Sequence, residues 1–438
     1  MTAGEAEDAR PTDVYRQFFS LERDVLVLSL AMFAFSLGFQ MTNRFLPDYL
    51  FYLGATGLLV GLFATLGNVI GAVFPYYGGV VSDRVGSRYA LTIFGLLSTV
   101  GFGIWLAGAF VPAVDLGVVV LEPWIWVFVG LLFAQGWKSF GIGATYAIVK
   151  QSVPPNRLAR GFASTETFRR SAFLIAPLIV AVLVADELMP GFLFVLAIAV
   201  VFGVLGTLAQ HFLYEAAEDT IGKEFDGFGQ ILADVRAMPD PLRPLLVADT
   251  FIRFANGMVY VFFILVITQL LEIGLVASVP GIGTIDLSPA AFFAVLLGVE
   301  MFVALVTMAP TAKIAEYTGL KPVVGFGFFV YAIFPILLIF APESVPLLIL
   351  LFAFSGLRFA GLPAHKTLVV GPAEQDAGGR VTGSYYFLRN TIVIPSGALG
   401  GVLWQFASPE ISFVVASAIG MVGVVYFAIY GQEFDAYR

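Results

Sequence analysis

Apolar residues run along the chain in long blocks separated by short polar stretches. A membrane-crossing helix needs about 20 mostly apolar residues. Twelve blocks meet that length: 25–51, 55–81, 89–111, 124–150, 161–185, 190–214, 245–271, 290–312, 322–341, 345–370, 380–406 and 411–431. They lack the period-two alternation of outer-membrane barrel strands. The pattern predicts an all-α membrane protein with 12 transmembrane helices. Residues 1–22 are polar, with Glu5, Glu7, Asp8 and Asp13, and lack the basic-then-apolar order of a signal peptide. They read as a mobile tail. Residues 215–244 form a second polar stretch, so the expected plan is a six-helix bundle over 23–214, a cytoplasmic linker over 215–244 and a second bundle over 245–438.

Composition agrees with a bilayer as the main solvent. Of 438 residues, 59% are hydrophobic and only 12% charged, against roughly 25% charged in soluble domains. The absence of cysteine excludes disulfides, thiolate chemistry and iron–sulfur clusters. The two histidines, His211 and His365, cannot build a His-rich metal site. A net charge of −8 disfavours nucleic acid as a partner. No cofactor is expected.

Lys/Arg placement predicts orientation. Of 23 such residues, 15 fall in one set of loops and tails, including Arg84, Arg88, Lys150, Arg160, Lys313, Lys321 and Arg380, and the alternate loops hold none. Both termini are therefore expected in the cytoplasm of a multi-pass plasma-membrane protein.

Shifting the second half by 220 residues aligns Gly136 with Gly356, Lys138 with Arg358, Gly141 with Gly361, Arg160 with Arg380, Ser164 with Ser384 and Arg169 with Arg389. Paired halves of this kind are a signature of repeat-built transporters. The loop after the second span reads Gly79-Val80-Val81-Ser82-Asp83-Arg84-Val85-Gly86-Ser87-Arg88. It resembles the G-x-x-x-D-R-x-G-R-R loop of the major facilitator superfamily, with Ser87 departing from the expected base. The loop after the eighth span is similar to a decayed copy, keeping Glu316, Gly319 and Lys321. The resemblance implies two pseudo-symmetric six-helix bundles (the MFS fold), a secondary active transporter working by alternating access, and a conformational latch. Gly79, Asp83, Arg84, Gly86, Arg88, Glu316 and Arg380 are its candidate residues. The Gly-x-x-x-Gly pairs Gly57/Gly61, Gly67/Gly71 and Gly397/Gly401 suit close helix contact, between the halves or within them.

Eight cations remain within the spans: Arg44, Lys138, Arg169, Arg170, Arg253, Arg358, Lys366 and Arg389. Each costs roughly 2.5–3.5 kcal/mol at mid-bilayer, so they must be paired or line a wet cavity. Helix phase places Gln135, Lys138 and Tyr146 on one face, Arg358, His365 and Lys366 on another, and Asp249, Arg253, Asn256 and Tyr260 on a third. Tyr385 and Arg389 share a face of span 11. Glu166 can pair with Arg169 or Arg170, Asp249 with Arg253, and Asp48 with Arg44 by spacing. Glu300 has no same-helix partner and is expected to meet a cation across the bundle. Bases still outnumber acids, which favours an anionic solute. The candidate substrate-binding set is Arg44, Lys138, Arg169, Arg253, Arg358, Arg389, Gln135, Asn256, Tyr146, Tyr260 and Tyr385. Arg169 and Arg170 with Glu166 read more as a structural network than as a ligand site. Arg44 and Arg253 are similar in placement to the arginine pair of organophosphate/phosphate antiporters, with Asp48 and Asp249 as departures. Glu166, Glu300 and His365 are the proton-coupling candidates.

The expected partners are a small-molecule solute, a proton or counter-ion, and lipid; the expected state is a monomer. A proton-driven efflux antiporter for lipophilic compounds is the alternative. Such pumps carry R-x-x-Q-G in span 4, where Gln135-Gly136 is present but Leu132 holds the Arg position; of their G-P-x-x-G-G run only Ala176-Pro177 remains. A sensor built on the transporter fold, without flux, is a further reading. No H-E-x-x-H, G-x-S-x-G or phosphate-binding glycine loop is present, which argues against an enzyme.

Overall fold

The computed structural model describes residues 23–115, 117, 120–141, 158–214, 236, 238–240, 242–279, 283–370 and 378–433. The N-terminal set of helices comprises α1 (Arg23–Asn43), α2 (Leu46–Tyr52), α3 (Gly57–Val85), α4 (Ser87–Gly108), α5 (Ile125–Ala134), α6 (Leu158–Leu183) and α7 (Leu188–Leu213). The C-terminal set comprises α8 (Leu242–Val259), α9 (Pro289–Thr318), α10 (Leu320–Ile339), α11 (Val345–Gly356), α12 (Leu362–Val370), α13 (Gly378–Val393), α14 (Ser396–Phe406) and α15 (Pro409–Tyr430). Two antiparallel hairpins, Val114–Asp115 with Val120–Leu121 and Leu275–Val279 with Gly283–Leu287, cap loops. Among the described residues, nine helices are long and apolar enough to cross a membrane. The predicted tail 1–22, most of the predicted linker (215–235) and the end of the fourth predicted span (142–150) lie outside the described residues.

Several predicted spans are single helices, but others are interrupted near mid-length, and the breaks have local causes. Span 1 breaks between α1 and α2. Thr42 donates its hydroxyl back to the Gly38 carbonyl at 2.8 Å, a bond that bends helices. Pro47, tolerated in a first helical turn, begins α2. Span 4 passes from α5 into a π-turn, Gly136–Phe140. There the Ser98 hydroxyl from α4 enters the ladder, donating to the Ala134 carbonyl (2.8 Å) and accepting from the Trp137 N–H (2.7 Å). A side chain inserted in this way is an established cause of local helix distortion. Span 7 continues from α8 through a 3₁₀ turn (Tyr260–Phe262) to a π-turn (Val266–Leu270). Span 10 breaks at a 3₁₀ turn, Leu357–Phe359, and span 11 at Pro395.

The two sets meet toward the end of the bundle remote from the start of α1. Gly61 on α3 packs so tightly on Gly397 and Gly401 that any Cβ would strike backbone, and a Cβ at Gly57 would strike the Trp404 side chain. Thr65 accepts a hydrogen bond from the Ala398 N–H at 2.6 Å, and the Gly57 N–H donates to Gln405 at 3.1 Å. Ser288, which caps α9, donates its hydroxyl to the Val184 carbonyl at 2.6 Å and so ties α9 to the end of α6. The glycine pairs therefore divide. Gly57, Gly61, Gly397 and Gly401 join the sets, whereas a Cβ at Gly67 or Gly71 would meet nothing within 4 Å, so both face open space.

Candidate solute-binding site

A cavity of about 350 Å³ lies between the two sets. Its walls come from the break after α1, the middle of α3, the π-turn after α5, the middle of α8 and the end of α13. Seven of the predicted binding residues line it: Arg44, Lys138, Arg253, Arg389, Gln135, Asn256 and Tyr260. Asn43, Asn68, Ser139 and Asn390 add neutral polar groups. Among the described residues four cations line the cavity and no carboxylate does.

The carboxylates sit behind the wall. Asp249 is fully buried and holds four side chains. Arg253 Nε donates to its Oδ1 at 3.2 Å, Arg389 Nη1 to its Oδ2 at 2.9 Å and the Tyr385 hydroxyl to Oδ2 at 3.1 Å; His365 Nε2 lies 3.4 Å from Oδ2. Arg253 also donates to the Tyr331 hydroxyl at 3.1 Å, and Arg389 to Asn390 Oδ1 at 2.9 and 3.2 Å. Both guanidinium groups are thus braced from behind.

Glu300 on α9 meets a cation across the bundle. It accepts from Arg358 Nη2 at 2.6 Å and from the Ser355 hydroxyl, while Arg44 Nη2 stands 3.9 Å from its second oxygen. Gly356 makes this approach possible, since a Cβ there would strike the Glu300 carbonyl. Arg358 is 3% exposed and does not line the cavity. The expectation that it contacts solute directly is therefore corrected: its charge is spent on Glu300. Tyr385 and His365 are likewise buried behind the wall, bound to or beside Asp249.

The Asp48–Arg44 pairing expected from spacing does not form. The break after α1 takes the two residues out of helical register. Asp48 instead accepts from Thr268 (3.1 Å) and Gln269 (2.9 Å) of the C-terminal set. The Arg44 guanidinium lies 3.9 Å above the Tyr260 ring centroid, and its Nη1 and Nη2 have no hydrogen-bond partner among the described residues.

Lys138 differs from the arginines. The π-turn turns Trp137 into the N-terminal set, where it stacks on Phe35 and donates to Gln210 at 3.1 Å. Lys138 is left exposed to the cavity, with the Phe39 ring 5.7 Å away and no described carboxylate within ion-pair distance. Arg169 on α6 does not line the cavity; its guanidinium lies over the Phe173 ring. Tyr146 and the Glu166 side chain lie outside the described residues.

The model of the Major Facilitator Superfamily matches residues 28–297, more than half of the chain. The chain belongs to the Major Facilitator Superfamily. It is a multi-pass membrane transporter of that superfamily, not an enzyme. No curated protein matches the sequence. Its fold is similar to that of a mutant of the nucleoside transporter NupG, at 12% identity, 93% coverage of this chain, 100% of the other and a TM-score of 0.73. It is also similar to a POT family transporter in complex with 5-aminolevulinic acid, at 13% identity, 94% and 97% coverage and a TM-score of 0.72. A mutant of the peptide transporter POT in complex with alafosfalin follows at 17% identity, 94% coverage of both chains and a TM-score of 0.70. At such identities the likeness concerns fold alone.

In the superfamily-type loop, Gly86 turns between α3 and α4 with φ 84°, and Gly319 turns between α9 and α10 with φ 90°, a conformation glycine adopts without steric cost. The decayed copy has kept this geometry. Arg84 is exposed, and Arg88 Nε donates to the His211 carbonyl at the end of α7 at 2.7 Å. The Asp83, Glu316 and Arg380 side chains, and the surroundings of Gly79, lie outside the described residues. Asn68 and Asn390 were not singled out by sequence. Asn68 stands between cavity-facing Gly67 and Gly71, and Asn390 directly follows Arg389, which are the local signals for them.

Proposed function

We propose that this transporter carries a small anionic organic solute across the plasma membrane by alternating access, coupled to protons or to counter-anion exchange. The observation that carries the reading is the cavity between the sets, lined by four cations and no described carboxylate. Cations held in a low-dielectric wall favour charge-assisted hydrogen bonds to an anion. The efflux alternative is disfavoured because the same wall repels lipophilic cations. The fold does not choose the solute, since similar folds belong to nucleoside and peptide transporters.

With both termini in the cytoplasm, as the Lys/Arg asymmetry indicates, the contacts joining Gly57, Gly61 and Asp48 to the C-terminal set lie on the extracytoplasmic side. This arrangement fits an inward-facing state. Six-helix bundles over 23–214 and 245–438 rock about the central site, and the 79–88 loop latches one end state. Glu300, placed between Arg358 and Arg44, is the group best situated to exchange a proton with the solute cycle.

Competition for uptake into reconstituted vesicles tests the reading. Inhibition by organic carboxylates or phosphates supports it; inhibition by hydrophobic cations alone supports the efflux alternative. Solute binding without uptake supports the sensor.

A further inference from the structure

Among the described residues the charges around the cavity do not balance. Arg44, Lys138, Arg253, Arg358 and Arg389 are five cations; Asp48, Asp249 and Glu300 are the three described carboxylates among or beside them. Among these described groups the surplus is two. It is also divided in space. Lys138 stands on the N-terminal set without a described carboxylate, whereas Arg253 and Arg389 stand on the C-terminal set and share one. Uncompensated charge in a low-dielectric setting is costly unless a counter-charge binds.

A second observation concerns hydrogen bonds. Three buried side-chain atoms on cavity-lining residues have no hydrogen-bond partner among the described residues: Arg44 Nη1, Arg44 Nη2 and Asn68 Nδ2. All three are donors, and unsatisfied buried donors are rare in proteins. They call for acceptor oxygens on the body of the solute. The volume, about 350 Å³, lies at the low end of ligand pockets, which span roughly 300–1,000 Å³.

We infer that the solute is a small, oxygen-bearing organic dianion with its two anionic groups at opposite ends, one on Lys138 and the other on the Arg253/Arg389 pair. This rests on the anionic-solute reading above and narrows it. A two-ended dianion touches both helix sets at once, so its binding energy depends on their relative position. Differential affinity of that kind is what a ligand needs to shift a conformational equilibrium.

Binding to the purified full chain, measured by calorimetry at millimolar concentrations, tests the inference. The probes are L-malate and 3-phosphoglycerate (two-ended), lactate (one-ended), glycerol 3-phosphate (both charges on one group), and uridine and dialanine. L-malate or 3-phosphoglycerate is expected to bind about tenfold or more tighter than lactate. The better of the two identifies a carboxylate or a phosphate end. In Lys138→Gln the advantage over lactate should fall to about threefold or less. The wild-type ratio tests the inference even if that variant folds poorly. Lactate binding as tightly as the two-ended probes removes the second anionic group. Glycerol 3-phosphate binding as tightly removes the two-ended geometry. Either result leaves the anionic reading standing. Binding of uridine or dialanine with no anion bound overturns both, and no binding by any dianion overturns the inference.

Discussion

Lys138 and Arg358 stand at matching positions of the internal repeat, 220 residues apart, yet among the described residues only Arg358 has a carboxylate partner, Glu300 at 2.6 Å. The glycine two residues before each makes a close helix approach: Gly136 against Phe94 and Leu97, Gly356 against Glu300 and Val303. One backbone device thus serves two ends. In the C-terminal set it buries a cation against an acid; in the N-terminal set it leaves a cation facing the cavity.

The two residues should therefore respond differently to truncation. Removing one partner of a buried ion pair costs about 3–5 kcal/mol, so Arg358→Ala should lower thermal stability strongly. Arg44, 3.9 Å from the Glu300 carboxylate, should hold the loss near the lower end. Lys138→Ala breaks no ion pair with a described carboxylate and should melt close to the wild type while losing anion binding. Melting curves of the two purified variants decide the matter; equal stability would contradict the assignment of Arg358 to a structural role.

Glu300 lends itself to a charge-neutral replacement. Glu300→Gln keeps the shape and one acceptor for Ser355 and Arg358 but cannot take up and release a proton. If coupling runs through this carboxylate, uptake driven by a pH gradient should disappear in the variant while solute exchange across the vesicle membrane persists. A variant whose uptake still follows the pH gradient would move coupling to another group.

Legibility from sequence followed the distance between partners. The Asp249–Arg253 pair was readable because helical spacing places residues four apart side by side. The Glu300–Arg358 pair could only be anticipated as a cross-bundle need, since its partners lie on α9 and the 3₁₀ turn after α11. Asp48 misled the spacing argument because Thr42, Asn43 and Pro47 break the helix between it and Arg44, and phase arguments hold only within an unbroken helix. The glycine motifs marked spans 2 and 11 for close helix contact, between the halves or within them, but not which glycines make it. Gly61 packs on Gly397 and Gly401, whereas Gly67 and Gly71 serve the cavity. The family and the mostly helical, membrane-spanning character were legible because long apolar blocks and the 79–88 loop are local features.

The same glycine division predicts opposite outcomes for one kind of substitution. In Gly61→Val the new side chain would strike the Gly397 carbonyl and the Gly401 backbone, which cannot move aside without separating α3 from α14. Transport should fall severely, with the population shifted away from the state in which these helices touch. Gly67→Ala adds a methyl group into open space and should fold normally, altering only solute affinity. Parallel uptake and binding measurements on both variants check this; equal loss in both would mean that the α3–α14 approach is not needed for the cycle.

Asp48 offers a direct test of how the two sets close. Its carboxylate is buried, and one oxygen accepts from both Thr268 and Gln269, so the first and seventh predicted spans are joined through a single acceptor. Asp48→Ala leaves those two donors without their partner, and an unsatisfied buried donor costs about 1–3 kcal/mol. That cost falls only on the state in which the spans meet, so the variant should open more often at this end, by about thirtyfold at the middle of the range. Asp48→Asn retains an acceptor oxygen and should open far less. Because the chain contains no cysteine, a single cysteine introduced at Pro47, on the cavity wall, reports the opening without background. Its labelling rate by a membrane-impermeant thiol reagent added from outside should rise in Asp48→Ala and remain near the wild-type rate in Asp48→Asn. An unchanged rate in Asp48→Ala would show that the glycine contacts around Gly61 close this end by themselves.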